Sequence, residues 1–304
     1  MEGNVVEATR KVLPPVGVCL PVSFTSAPHI DELRDAVGRL QRAGYRAVWT
    51  NEVIGKDAFV QLATLLAATE RVMFGTCVAN VWARPAQTAH AAAAQLAQAY
   101  PGRIVVGLGV GHREQAASTG QVFGTPLATM RAYLERMDSP TSPPAPDAPY
   151  PRIIAANGPK MLALADKVAD GAIPALLPVE HTAQARRLLG PDKLLIVGLA
   201  VAPDSDRDRA KATARQSVSE WLGRPSYAAR IAALGYSTQD IVEVNDRLVD
   251  ALVAQGDTMA IGARIRAHLG AGADHVTLVP SIGDDFASRV QQLEEIRMAY
   301  PSGF

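Results

Sequence analysis

The sequence predicts an α/β protein whose strands close into a (β/α)8 TIM barrel, and three observations support this fold class. Eight short apolar runs alternate with longer helical patterns along the chain, which is the order of a parallel sheet covered by helices. No tight turn joins two apolar runs as a hairpin would, so antiparallel neighbours are not expected. The length of 304 residues suits an α/β barrel that forms one domain.

Four strand–helix units are predicted in the first half of the chain. Asp57 precedes the second helix as an N-cap, and Pro85 opens the third helix in its first turn, a position where proline is tolerated. The predicted strands are 16–21, 47–52, 72–79 and 104–108, and the predicted helices are 29–45, 57–70, 85–100 and 127–137.

The second half of the chain supplies the other four strands. Between the halves, residues 139–151 carry six prolines in thirteen residues, so this segment is predicted to be a surface loop rather than a helix or central strand. A linker between two domains is the alternative, but neither side supplies a complete core, so we expect a single domain over 1–304. The predicted strands are 152–156, 172–177, 194–202 and 275–279, and the predicted helical regions are 160–168, 182–189, 206–254, 261–269 and 286–299.

Composition and charge exclude several classes of protein. The formal net charge is zero, so no basic field exists to hold nucleic acid or an anionic membrane. The longest apolar run, 194–202, is too short to span a bilayer. The only cysteines, Cys19 and Cys77, lie in apolar runs, which excludes a disulfide framework and a cysteine-rich zinc site. No group of His, Asp and Glu has metal-ligand spacing. With no basic, apolar leader at the amino terminus, we expect a cytoplasmic protein.

Glycines follow two of the predicted strands. Gly107, Gly109 and Gly111 end strand four, but His112 stands where a dinucleotide fingerprint needs its third glycine. A glycine-rich turn without a ligand is the alternative reading there. The segment 157–160, Asn-Gly-Pro-Lys, predicts a helix start with free N–H groups that suit a phosphate. An ordinary helix start explains the same segment without a ligand.

Nine short motifs in a fixed order carry a family resemblance. They are Trp49-Thr-Asn-Glu52, Gly75-Thr-Cys-Val78, Arg84, Tyr100-Pro-Gly-Arg103, Gly107-Leu-Gly-Val-Gly111, Ala155-Ala-Asn-Gly-Pro-Lys-Met-Leu162, Ala169-Asp-Gly171, Leu248-Val-Asp-Ala-Leu-Val253 and Ala271-Gly-Ala-Asp-His-Val276. In this order the chain resembles the bacterial-luciferase-like flavin and deazaflavin oxidoreductases, most closely the actinobacterial branch assigned to coenzyme F420.

The resemblance implies a cofactor site at the carboxyl ends of the strands. In such enzymes a bulge with a cis non-prolyl peptide backs the ring at the end of strand three, and the matching bond here joins Cys77 to Val78. The exit of strand four lies beside the ring in such enzymes, which implies that Gly109 and Gly111 must be small to leave room for the ring. The ring contacts are then Cys77, Val78, Ala79, Asn80, Gly109, Val110 and Gly111, and the phosphate contacts are Ala156, Asn157, Gly158, Pro159, Lys160 and Met161.

The resemblance also suggests catalytic residues, with one departure. Better-studied F420 enzymes of this fold often place a His after strand two and a Glu after strand four, whereas this chain has Glu52 and His112 there. The exchanged pair is predicted to form an acid–base couple. A rim ion pair for Glu52 and a solvated loop position for His112 are the alternatives. The tryptophan expected near strand two is absent from 54–56.

Trp82 and Arg84 follow strand three on the same side of the barrel. We expect them to contact substrate, with Arg84 near an anionic group, unless Arg84 pairs with an acidic neighbour instead. Family habit further suggests a homodimer through the early helices, where the alanine-rich helix 85–100 packs closely.

The sequence therefore predicts an F420-dependent oxidoreductase that transfers a hydride to or from a small organic substrate. The first alternative is an FMN-dependent monooxygenase that uses oxygen, and the second is a flavin-binding paralogue without turnover. A barrel aldolase or isomerase would need a buried lysine on a strand, and no lysine lies in a predicted strand.

Overall fold

A computed structural model describes residues 4–23, 26–53, 55–281 and 285–300 of the chain. Within these ranges the strands are β1 Val16–Cys19, β2 Ala47–Thr50, β3 Met73–Thr76, β4 Ala79–Asn80, β5 Ile104–Gly109, β6 Arg152–Ile154, β7 Gly171–Ala172, β8 Leu194–Pro203, β9 Val253–Gly256 and β10 His275–Pro280. The helices are α1 Val5–Val12, α2 Ile30–Ala43, α3 Ala58–Ala67, α4 Ala86–Ala99, α5 Arg113–Ser118, α6 Pro126–Met137, α7 Pro159–Val168, α8 Val179–Leu189, α9 Arg207–Leu222, α10 Pro225–Ala233, α11 Thr238–Glu243, α12 Asp246–Leu252, α13 Thr258–Gly270 and α14 Phe286–Met298.

The strands form the closed parallel barrel that the sequence predicts. Neighbours run in the order β1, β2, β3, β5, β6, β7, β8 and β10, and β10 returns to pair with β1. Every pairing in this ring is parallel. The carboxyl ends of all eight strands therefore open at one mouth, where an enzyme of this architecture carries its site. No helix among the described residues is long and apolar enough to cross a membrane.

Helix α1, which the sequence analysis did not predict, closes the amino-terminal end of the barrel. Val6 and Leu13 join the buried cluster on the barrel axis, and Arg10 donates to the carbonyls of Pro191 and Lys193 just before β8. With that end plugged, the mouth at the carboxyl ends is the open side. The strand residues of this axial cluster are Cys19, Ala47, Trp49, Met73, Val105, Ile153, Leu194 and Ile196.

A buried histidine fixes the same lower part of the barrel. The Trp49 indole donates to His275 Nε2 at 2.9 Å, so Nδ1 carries the ring proton and donates to the Pro14 carbonyl. Burial lowers the pKa of His275 to about 4, against the opposing effects of that hydrogen bond and of Asp274. His275 is therefore neutral and structural at neutral pH.

Acidification is expected to destabilise the barrel through its buried histidines. The unfolded chain binds a proton at each histidine below a pH of about 6.5, whereas burial lowers the folded pKa of His181, His268 and His275 to about 4. Between these values protons favour the unfolded chain, so the free energy of unfolding falls as the pH falls, by up to about 1.4 kcal/mol per pH unit for each histidine.

Urea unfolding between about pH 6.5 and 4.5 measures this slope in the parent protein and in His275→Gln. The variant is expected to show a shallower slope, because one of the three buried histidines with a pKa lowered to about 4 is gone. Parallel slopes in the two proteins would show that His275 does not control the acid response.

The proline-rich segment 139–151 contains neither helix nor strand, as predicted. It connects α6 to β6, and β6 pairs with β5 in the barrel, so the segment lies inside one barrel rather than between two. Its end is anchored where the Tyr150 hydroxyl meets His90 Nδ1 at 2.7 Å.

Several predicted boundaries need correction. The predicted strand 72–79 is broken between β3 and β4, and the predicted strands at 152–156 and 172–177 end early as β6 and β7. The predicted helical region 206–254 is four helices, α9 to α12, followed by the unpredicted strand β9. Gly223 and Pro225 separate the first two helices, and Gly235 with a φ of 93° ends the second, because glycine alone adopts that backbone angle without strain.

The alanine face of α4 is not free for a second copy of the chain. Its buried alanines are covered within the same chain, where α4 packs against α6 and α3. The buried residues are Ala86, Ala89, Ala93, Ala94 and Ala97.

Candidate active site

The floor of the barrel mouth is small and apolar. The peptide bond between Cys77 and Val78 is cis, as the resemblance implies. The side chains of Cys77, Val78, Ala155 and Val279 pack on the top of the axial cluster while remaining partly exposed. Such a surface of small and β-branched side chains suits one face of a flat aromatic ring.

Neighbouring atoms of the protein leave no room for a side chain at the glycines where β5 ends. A Cβ on Gly109 would overlap the Val78 side chain, and a Cβ on Gly107 would overlap the Thr76 carbonyl. Gly111 has a φ of 52°, and a Cβ there would overlap the Gln115 amide. These contacts correct the expectation that a ring alone requires small residues at Gly109 and Gly111.

The start of α7 forms an open cradle. Gly158 is the N-cap and Pro159 is the first helical residue. A Cβ on Gly158 would meet no atom within 4 Å, so open space lies in front of it. Within the described ranges, the backbone N–H groups of Gly158 and Lys160 have no acceptor. Free N–H groups at the positive end of a helix bind phosphate well, so this segment fits the phosphate of a cofactor.

Two side chains hold this cradle to the neighbouring strand exit. The Asn157 amide bonds both the N–H and the carbonyl of Ala175, at 3.0 and 3.2 Å. His181 Nε2 donates to the Asn157 carbonyl at 3.1 Å. Burial and the charge of Arg230 lower the pKa of His181 to about 4, so the ring is neutral at neutral pH. His181 is a positioning residue that the sequence analysis missed, because its partner lies 24 positions away.

Helix α10 lies across this side of the mouth with two arginines. Tyr227 donates to the Leu176 carbonyl just after β7, which anchors the middle of the helix. Arg224 at its N-cap acts electrostatically on His112, and Arg230 acts on His181. The exits of β5 and β7 are therefore covered by positive charge, which favours an anionic ligand.

Glu52 is a buried member of an ion pair. Its carboxylate accepts from the N–H of Ala58 at 3.0 Å and of Asn80 at 2.7 Å, and both terminal nitrogens of Arg84 donate to it. Four donors fill the acceptor positions of an ionised carboxylate. Because no position is left for a proton, the geometry argues against Glu52 as a proton donor. We therefore revise its predicted catalytic role to a positioning role that joins β2, β4 and α3.

Arg84 and Trp82 are also occupied inside the protein. Burial lowers the pKa of Arg84, and its hydrogen bonds to Glu52 and Asp57 raise that pKa further than burial lowers it. The Arg84 side chain is only 10% exposed and stacks on Phe59. The Trp82 indole donates to the Val110 carbonyl at 2.7 Å and is buried. Both side chains are therefore mostly buried and hydrogen-bonded within the protein, and their contact with substrate stays a prediction.

His112 is exposed at the mouth beside the exit of β5. Partial burial of its ring and the charge of Arg224 lower its pKa, which favours the neutral form. Within the described part of the chain, no hydrogen bond or ion pair joins it to Glu52. The structure therefore does not form the predicted Glu52–His112 couple.

Lys56 is a second residue that the sequence analysis missed. Its ammonium donates to the Asn51 side chain at 3.2 Å and interacts electrostatically with Cys19, Cys77 and Glu52. Burial lowers its pKa, and those three groups oppose the change. Lys56 thus adds a cation at the floor of the mouth from a loop rather than a strand.

The chain is similar in sequence and in fold to known proteins. A family model described as luciferase-like monooxygenase matches residues 15–275. A Mycobacterium tuberculosis protein named as a coenzyme F420-dependent oxidoreductase is 30% identical over 172 residues, which are 46% of this chain and 50% of that protein. The F420-dependent hydroxymycolic acid dehydrogenase of the same organism is 28% identical over 67% of this chain and 62% of its own length.

These two curated relatives are thus matched over only half to three-fifths of their own length. Among solved structures, an F420-dependent secondary alcohol dehydrogenase in complex with an F420–acetone adduct superposes with a TM-score of 0.75 at 17% identity. The match covers 95% of this chain and 99% of the other, and at this identity it supports the fold alone.

Proposed function

Because this chain belongs to the luciferase-like monooxygenase family of enzymes, we propose that it is an F420-dependent oxidoreductase acting on a small organic substrate. The observation that carries the proposal is the open cradle at Gly158, with two free N–H groups, and with Arg230 of α10 acting on His181, which bonds the cradle at Asn157. A bound deazaflavin would supply two-electron hydride transfer.

Different segments of the chain would bind the phosphate and the ring of the cofactor. The segment Ala156 to Met161 would hold the phosphate through backbone N–H groups, and the exposed Lys160 side chain would add charge. The backbone of β4 and of Gly109 to Gly111, with the Cys77–Val78 floor, would support the ring. Glu52 would act indirectly, because its carboxylate accepts from the Asn80 N–H and so fixes Asn80 next to that floor.

His112 would be the proton-handling residue of this site. A neutral imidazole accepts a proton from a substrate hydroxyl, and the lowered pKa of His112 keeps it neutral near pH 7. Two further expectations from the sequence belong to this proposal: a cytoplasmic location and a homodimer whose interface excludes the buried face of α4.

Replacing His112 with alanine is expected to lower turnover by about 100-fold, the lower end of the range for a lost general base. The affinity for F420 should change by less than about threefold, because the side chain does not form the cradle or the floor. Single-turnover kinetics and fluorescence titration measure the two quantities separately. Unchanged turnover would remove His112 from the mechanism, and a parallel loss of affinity would make it a binding residue instead.

The experiment that tests the function follows oxidised F420 with a panel of small alcohols and reduced F420 with a panel of small aldehydes and ketones, each with and without oxygen. The proposal predicts substrate-dependent change in F420 absorbance that does not need oxygen. The description of the family model as a monooxygenase favours a second candidate, an FMN-dependent monooxygenase. Oxygen consumption with reduced FMN would support that candidate, and no turnover with either cofactor would support a non-catalytic flavin-binding paralogue.

A further inference from the structure

The two cysteines of the chain meet beneath the floor of the mouth. Cys19 is the last residue of β1, Cys77 follows β3, and their sulfur atoms lie 3.0 Å apart across β2. The sulfur atoms of a disulfide are about 2.05 Å apart, so a movement of about 1 Å would join them. The sequence holds only these two cysteines, 58 positions apart, and this separation gave no sign of the contact.

The surroundings of the two sulfur atoms favour reaction. The Cys77 thiol donates a hydrogen bond to Cys19, which lowers the pKa of Cys19 despite its burial. The same hydrogen bond and burial raise the pKa of Cys77, and the Lys56 ammonium opposes that change. Lys56 also lowers the pKa of Cys19, so the thiolate, which is the reactive form of cysteine, is favoured on Cys19 and the proton on Cys77. Cys19 is buried at 2% exposure, whereas Cys77 is partly exposed at the mouth. Cys77 is therefore the sulfur that a small oxidant can reach.

We propose that Cys19 and Cys77 are an oxidation site that forms a reversible disulfide on reaction with hydrogen peroxide, assisted by the Lys56 cation. This oxidation does not depend on the oxidoreductase activity proposed above, although Cys77 lies in the floor that the proposed function assigns to the ring. It makes the floor of the mouth sensitive to peroxide, because Cys77 is part of that floor.

The reaction balances without any further reagent. The proton of the Cys77 thiol passes along the hydrogen bond to the Cys19 thiolate as the Cys77 sulfur attacks one oxygen of the peroxide. The O–O bond breaks, and the other oxygen leaves as water after protonation. Cys19 then loses its proton and attacks the Cys77 sulfur, the S–O bond breaks, and the hydroxide leaves as a second water. Two thiols and one peroxide give one disulfide and two waters, with two electrons passing from sulfur to oxygen.

Mass spectrometry of the full chain tests the proposal directly. After treatment with hydrogen peroxide, denaturation and alkylation, the expected product has lost two hydrogens, carries no alkyl group and yields a cross-linked peptide pair containing Cys19 and Cys77. Dithiothreitol should restore both alkylation sites. Two alkylated cysteines after treatment, or a sulfinic acid on Cys77 without a cross-link, would overturn the proposal.

Variants separate the roles of the three residues. Cys19→Ser is expected to stop at a sulfenic acid on Cys77 that dimedone traps, and Cys77→Ser is expected to resist oxidation because Cys19 is buried. Lys56→Met should slow disulfide formation by about fivefold, whereas Lys11→Met, which removes an exposed lysine of α1, should not. Equal rates in both lysine variants would exclude the assistance by Lys56.

A protection experiment connects this site to the proposed function, and this step alone rests on that proposal. A saturating concentration of F420 is expected to slow the oxidation, because a ring on the floor would cover Cys77. Oxidation at an unchanged rate would count against the ring position while leaving the disulfide itself established.

Discussion

Arg84→Met is expected to lower the free energy of unfolding by about 3–5 kcal/mol. The substitution removes two donors from Glu52, which then remains as an unpaired carboxylate at 4% side-chain exposure. It also removes a donor from Asp57. A buried charge without its partner retains the cost of leaving water and loses the attraction that offset it. Urea unfolding near neutral pH measures the loss.

A matched control is Arg34→Met. Arg34 pairs with Asp31 on the surface of α2, where both side chains are well exposed, so we expect a loss below about 1 kcal/mol. The double variant Glu52→Gln with Arg84→Met should regain a large part of the stability that the single variant loses, because no buried charge is left. If Arg84→Met itself lowers the free energy of unfolding by less than about 1 kcal/mol, the buried Glu52–Arg84 ion pair does not stabilise the fold as the geometry suggests.

Gly158→Glu is expected to weaken F420 binding by about 1000-fold, or about 4 kcal/mol. The new side chain has room, because no atom lies within 4 Å of the Cβ position, so the fold should survive. The side chain would fill the cradle, and its negative charge would repel the phosphate that the free N–H groups of Gly158 and Lys160 are proposed to hold. Fluorescence titration measures the affinity, and circular dichroism and thermal unfolding confirm the fold.

Gly270→Glu provides the matched control for that variant. Gly270 ends α13, and its Cβ position is also open, so the same substitution changes the net charge equally without touching the cradle. Its F420 affinity should stay within about threefold of the parent. Equal affinities in the two variants would remove Gly158 from the phosphate site.

The barrel was predictable because its signals are local. Each strand is an apolar run next to an amphipathic helix, and parallel order follows from their alternation. The Gly158–Pro159 helix start is equally local, and the structure contains that start at the predicted position. The cis bond at Cys77–Val78 was accessible only through the family resemblance, because no local signal distinguishes it from an ordinary strand end.

The interior of the site was not predictable because its contacts are long-range. Glu52 looked catalytic from its position after β2, but its partner Arg84 lies 32 residues further along the chain. The arginines of α10 reach the mouth only because that helix lies across it, and His181 of α8 contacts Asn157, which lies 24 positions away. Two cysteines in separate apolar runs gave no indication of their contact, since only the pairing of β1 and β3 with β2 brings them near each other.

The mouth of this barrel is expected to bind the deazaflavin F420, and a side-by-side fluorescence titration of the purified protein with F420 and FMN measures this binding. We expect micromolar binding of F420 and binding of FMN that is at least about tenfold weaker. Tighter binding of FMN would overturn the F420 assignment and favour the monooxygenase. Binding of neither cofactor would contradict both enzyme readings.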